Sequence, residues 1–182
     1  LGLSGSTDCK TARATAAKDN FDGEHPGAEP KANRINHPMA ETSNGRYEGG
    51  EMVASGYAAV WARENTRASI YDAMMRKEVY ATTGPRMIVR FFGGWDFTDA
   101  DANTRWPADA GYAKGLPMGA ELHGAPEGKS PTFLVAALKD PIGANLDRIQ
   151  LVKGWRMKNG DLQEKVYDGA MSNGRTSGPV GN

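Results

Sequence analysis

The fold turns on Val79-Tyr80-Ala81-Thr82-Thr83-Gly84-Pro85-Arg86-Met87-Ile88-Val89-Arg90-Phe91-Phe92-Gly93-Gly94. Residues 79–83 are rich in β-branched and aromatic side chains, which suit a pleated, half-buried surface. Gly84-Pro85 then interrupts the run, because proline has no N–H to give a ladder and glycine favours a turn. Residues 86–92 form a second and stronger strand pattern, ended by Gly93-Gly94. With the strands that follow downstream, these runs predict an antiparallel sheet or a partial sandwich. Arg86 and Arg90 stand four residues apart, which puts both on one face of the second strand. Their guanidinium forks could grip a carboxylate or phosphate bidentately. A solvated strand face is the plainer alternative.

Downstream, three further strands are predicted over residues 132–138, 146–153 and 161–167. The last two are joined by Lys158-Asn159-Gly160, where Asn-Gly favours the positive φ of a hairpin turn. The intervening residues 98–114 are polar and are predicted to be loop. Upstream, residues 57–77 carry a helical pattern. Asn65 and Thr66 can cap it, and Ile70, Ala73, Met74 and Lys77 share a face. The expectation is that Ile70 and Met74 are buried. A shorter helix is predicted over residues 58–62. Residues 1–57 lack hydrophobic periodicity and are predicted to form a long irregular arm. Residues 172–182 are a Gly/Ser/Asn/Pro-rich tail. The fold class is therefore α+β, with an irregular N-terminal arm, one main helix, and an antiparallel β-sheet or partial β-sandwich. The expected divisions are 1–78, 79–171 and 172–182.

Composition narrows the function classes. Lys plus Arg and Asp plus Glu are each 22, so the net charge is zero. That balance gives no electrostatic footprint for nucleic acid. No apolar run reaches the roughly 18–20 residues that span a bilayer, so no membrane partner is expected. The single cysteine, Cys9, excludes an internal disulfide and reads as a bland thiol. Compartment stays open.

Gly5-Ser6-Thr7-Asp8 follows a short apolar entry, and a carboxylate at a strand end can supply a hard oxygen ligand to a metal. A turn or cap aspartate is the commoner meaning of one Asp. His25, His37 and His123 are far apart in polar surroundings and read as loop histidines. The aromatics Trp61, Trp95, Trp106, Trp155, Tyr57, Tyr71, Tyr80, Tyr112 and Tyr167 could stack on a glycan, but aromatics also fill cores.

Several segments together resemble one family. They include Gly5-Ser6-Thr7-Asp8, Asp19-Asn20-Phe21, Gly23-Glu24-His25, Ala58-Ala59-Val60-Trp61-Ala62, Glu64-Asn65-Thr66-Arg67, Arg76-Lys77-Glu78-Val79-Tyr80, Phe91-Phe92-Gly93-Gly94-Trp95, Ala137-Leu138-Lys139-Asp140-Pro141 and Gln163-Glu164-Lys165-Val166-Tyr167-Asp168. In this order they resemble the C-terminal region of a large bacterial family related to the PHP (polymerase and histidinol phosphatase) metallohydrolases. The resemblance implies a distorted β/α barrel with a metal cluster, followed by a β-rich region. Residues 1–78 would be barrel remnant, as in an environmental gene fragment.

The resemblance implies divalent metal ions for the whole protein and hydrolysis of phosphoester or related bonds. The family's strand-end motif reads Gly-Ser-x-Asp-x-His. Asp8 matches its metal-binding carboxylate, but Lys10 stands where the histidine belongs, and a protonated ammonium cannot ligate a metal. The expectation is thus a catalytically incomplete portion with no cofactor of its own and no assignable catalytic residue. The alternatives are a β-module that binds a glycan or small ligand, or a structural domain. Apolar surface left by a missing barrel, and an unpaired strand edge, predict a homo-oligomer.

Overall fold

The computed structural model describes residues 3–6, 36, 38–48 and 56–172. Contacts group the chain into two units, Leu1–Asp140 and Pro141–Asn182. The fold is α+β, and every strand pair among the described residues is antiparallel.

In the first unit, β1 (Pro38–Thr42) and β2 (Gly45–Glu48) form a hairpin. This corrects the expectation of an irregular arm at these positions. The Thr42 hydroxyl donates to the Gly45 carbonyl at 3.3 Å and accepts from the Asn44 N–H at 3.2 Å. A local side-chain turn of this kind makes a hairpin without help from hydrophobic periodicity.

β3 (Ala58–Val60) pairs antiparallel with β4 (Val79–Ala81), Ala59 opposite Tyr80. Main-chain bonds from Trp61 to Glu78 and from Thr82 to Tyr57 extend this ladder at both ends. Residues 58–62 are therefore extended, not helical. Their alanines favour a helix in isolation, but the ladder with β4 satisfies the same backbone groups and overrides that weak preference.

Helix α1 (Arg67–Met75) links the two strands. Thr66 caps it as predicted, its hydroxyl accepting from the Ser69 N–H at 3.3 Å. The predicted buried face needs correction. Ala73 is fully buried, Ile70 is half-buried, and Met74 is 49% exposed. The helix rests on its smallest side chain, so truncating Met74 removes little buried surface.

The core sits under a three-stranded sheet of order β6-β5-β7. β5 (Ile88–Gly94) is central, flanked by β6 (Gly115–Pro117) and β7 (Thr132–Leu138), all antiparallel. The β5 and β7 ranges fall close to the predicted runs. Between β5 and β6 lie α2 (Asp99–Ala102) and α3 (Pro107–Lys114). Residues 98–114 are thus largely helical rather than loop. Phe92 and Leu134 face each other in the register and are both buried. On the other face, Phe91 stacks on Phe133 at 5.4 Å.

Asp101 fixes the entry to α2 and ties it to the end of α3. Its carboxylate accepts from the Thr98 N–H at 2.8 Å and from Lys114 Nζ at 2.6 Å. The Lys114 bond, then the Thr98 backbone bond, hold its pKa below the ordinary 3.8. A depressed acid stabilises the fold fully above its unfolded pKa, and that contribution is lost as pH falls through the folded value. Asp101→Asn is therefore expected to flatten the acid limb of the stability profile below about pH 4. Urea midpoints taken at a series of acidic pH values check this. An unchanged slope in the variant would remove Asp101 as the source.

The second unit is a hairpin of β8 (Arg148–Arg156) and β9 (Leu162–Met171), with a register shift between Ile149 and Gln150. Both strands run past their predicted ends. The predicted turn is present: Gly160 has φ +96°, and the Asn159 carboxamide accepts from the Asp161 N–H at 3.1 Å. No helix among the described residues is long and apolar enough to cross a membrane.

Candidate functional site

The site begins at the end of α1. Arg76 is the C-cap, and Lys77 follows with φ +59°. Lys77 N–H bonds the Met74 carbonyl, and Glu78 N–H bonds the Ala73 carbonyl, at 2.9 and 3.0 Å. This paired arrangement is a Schellman motif, with lysine where glycine is usual. Gly119 presses on the same turn, so closely that a Cβ there would lie 2.2 Å from the Lys77 carbonyl oxygen. The chain direction after the helix is therefore set by backbone, and it turns the Glu78 side chain inward.

Glu78 is only 4% exposed. A buried carboxylate needs partners, since desolvation costs several kcal/mol. Its Oε2 lies 3.3 Å from Arg76 Nη2 and its Oε1 lies 3.7 Å from Arg90 Nη1. The Tyr112 hydroxyl donates to Oε1. Burial first, and then the Glu78 carboxylate, push the Tyr112 pKa above 10. Tyr112 therefore stays protonated and donates across the neutral range.

Arg90 comes from β5, two residues before Phe92 and so on the same face. Its guanidinium sits 3.2 Å from the centre of the Trp61 ring. Its Nη1 donates to the Tyr112 hydroxyl at 2.8 Å. Trp61 is itself pinned by an indole N–H bond to the Val89 carbonyl at 3.0 Å. Tyr112 stands edge-on to Phe92 at 5.0 Å, so α3 carries it from the core to the rim.

These residues line a cavity of about 600 Å³ with Ala62, Arg63 and Pro117. The size suits a small organic ligand. Three arginines, one buried glutamate and two aromatic residues line it. The arrangement can hold an oxyanion by charge-assisted hydrogen bonds.

The two arginines singled out by sequence part company. Arg90 lines the cavity. Arg86 ties down the turn before β5. Its N–H donates to Asp140 Oδ2 at 2.7 Å, its Nη1 donates to the Gly84 carbonyl at 2.8 Å, and its guanidinium lies 3.7 Å from the Tyr57 ring centre. Arg63, Arg76 and Glu78 carry no site expectation from sequence, and Trp61 and Tyr112 stand there among the aromatics that could stack on a glycan or fill a core. The one signal for Glu78 was a carboxylate placed between a cationic helix end and a buried strand.

Asp8 and Lys10 lie outside the described residues, as do Cys9, His25 and His37. Gly5, from the same motif, packs beside β3: a Cβ on it would lie 2.6 Å from the Tyr57 carbonyl oxygen. His123 is exposed. Among the described residues no group of three or more His, Cys, Asp or Glu side chains converges. Buried Glu78, Asp101 and Asp140 are each engaged by cationic or backbone donors. The described residues do not fit a metal centre.

The first unit is thus an α+β scaffold with a cationic, aromatic-walled pocket. The chain belongs to the family described as "Protein of unknown function (DUF3604)", which matches residues 1–182. Neither a curated protein nor a solved structure matches the chain.

Proposed function

We propose that residues 56–140 form a binding module for a small anionic organic ligand, held through a carboxylate or phosphate group. The observation that carries this reading is the buried Glu78 carboxylate, which clamps Arg76 and Arg90 at the wall of the cavity. Fixing two cations side by side is costly in side-chain entropy, and a site for an anion repays that cost on binding. Trp61 and Tyr112 add rings against which the organic part of a ligand can rest.

The resemblance to PHP metallohydrolases extends the proposal. On that reading the pocket grips the anionic end of a substrate in a hydrolase, and the hydrolytic chemistry belongs to residues other than those that line it. Calorimetric titration with malonate, inorganic phosphate and neutral glycerol tests the binding step. Saturable heats are expected for both anions and none for glycerol, and added salt should weaken them. Absence of anion binding tighter than about 10 mM would overturn the proposal.

A further inference from the structure

We propose that this pocket prefers dianions to monoanions, and that Glu78 sets the preference as a positioning residue. The inference rests on the anion-binding reading above. Arg63, Arg76 and Arg90 line the cavity together with Glu78, the one acidic residue there. The balance is two positive charges, the complement of a dianion.

The two oxygens of Glu78 go to different cations, Oε2 to Arg76 and Oε1 to Arg90. The carboxylate therefore acts as a spacer that holds two guanidiniums at fixed places. A guanidinium carries five N–H donors. Glu78 and Tyr112 engage one nitrogen of each arginine, Nη2 of Arg76 and Nη1 of Arg90. The rest of each fork is left for a ligand. Arg90 is held further by the Trp61 ring. Arg76 is half exposed, and Glu78 is its ion-pair partner. Without that carboxylate the Arg76 side chain is released to solvent, and a ligand must order it again on binding.

Charge and positioning predict opposite signs for one substitution. Glu78→Gln removes a negative charge beside the ligand. If charge alone governs, the variant binds malonate more tightly. If Glu78 positions the arginines, malonate affinity falls about tenfold, since a charge-assisted bond is worth roughly that much. The ratio of malonate to acetate affinity should shrink with it. Destabilisation alone would not move that ratio.

Titrations of the whole chain with malonate and acetate, in wild type and variants, decide the matter. Wild type is expected to prefer malonate by about tenfold or more. If wild type binds neither anion, the anion-site reading itself fails. Equal affinities for the two anions overturn the dianion preference and leave the anion site standing. Tighter malonate binding by Glu78→Gln overturns the positioning role. Should Glu78→Gln fail to fold by circular dichroism, exposed Arg63 provides the second test. Arg63→Ala is expected to weaken malonate severalfold and leave acetate nearly unchanged, and an unchanged malonate affinity refutes the charge matching.

Discussion

Phe92→Ala is expected to lower the unfolding free energy of the first unit by about 3–5 kcal/mol. Phe92 is the largest fully buried side chain among the described residues. The hydrophobic core it anchors is small: among the described residues, the buried hydrophobic side chains are Ala73, Phe92 and Leu134. The ring lies opposite Leu134, edge-on to Tyr112 and against Gly111. A Cβ on Gly111 would sit 2.5 Å from the ring, so α3 approaches as closely as a glycine allows.

Deleting the ring leaves a cavity that Gly111 has no side chain to fill, which places the cost toward the upper part of the range. Natural domains hold about 5–15 kcal/mol in all, so the variant should be marginal at room temperature. Urea denaturation followed by near-ultraviolet circular dichroism reads this directly. A loss below about 1 kcal/mol would show that the α3 packing on β5 is not the core contact. The same substitution should loosen Tyr112, because Phe92 is the ring that steadies it below the pocket.

The fold was legible where side-chain pattern and backbone requirement agree. β7 occupies the run read from its apolar residues, and the Thr66 cap and the Asn159-Gly160 turn stand where local chemistry put them. It was illegible where tertiary contact replaces pattern. α3 reads Pro-Ala-Asp-Ala-Gly-Tyr-Ala-Lys, with no apolar stripe, because the residue it presses on the core is a glycine. Ala58-Ala59-Val60 reads as helix by composition and becomes strand through its partner β4. α1 turns Ala73 inward rather than Met74, a choice fixed by how closely the helix meets its neighbours and not by hydrophobicity.

The site divides in the same way. Arg90 was visible as one of a pair on a strand face. Glu78, Arg76 and Arg63 become site residues only when the turn after α1 is folded against β5. Asp8 and Lys10 carry the metal-centre expectation, and they fall outside the described residues.

Arg86 and Arg90 look alike in sequence, and their alanine variants are expected to behave differently. Arg90→Ala removes the guanidinium that touches Glu78, Tyr112 and the Trp61 ring at once. Anion affinity should fall by about 2–3 kcal/mol, roughly thirtyfold to 150-fold, the worth of a hydrogen bond to a charged group plus the lost cation. Stability should fall as well, because buried Glu78 keeps only Arg76 and Tyr112 as partners.

Arg86→Ala keeps the backbone N–H that Asp140 accepts, and loses the bond to Gly84 and the stacking on Tyr57. Its expected cost is about 1–2 kcal/mol of stability. Its anion affinity should stay within about twofold of wild type, since the residue does not line the cavity. Parallel titrations with malonate and parallel urea melts separate the two effects. If Arg86→Ala weakens binding as much as Arg90→Ala while remaining folded, the ligand contacts both arginines, and the cavity between Trp61, Glu78 and Tyr112 is not the site.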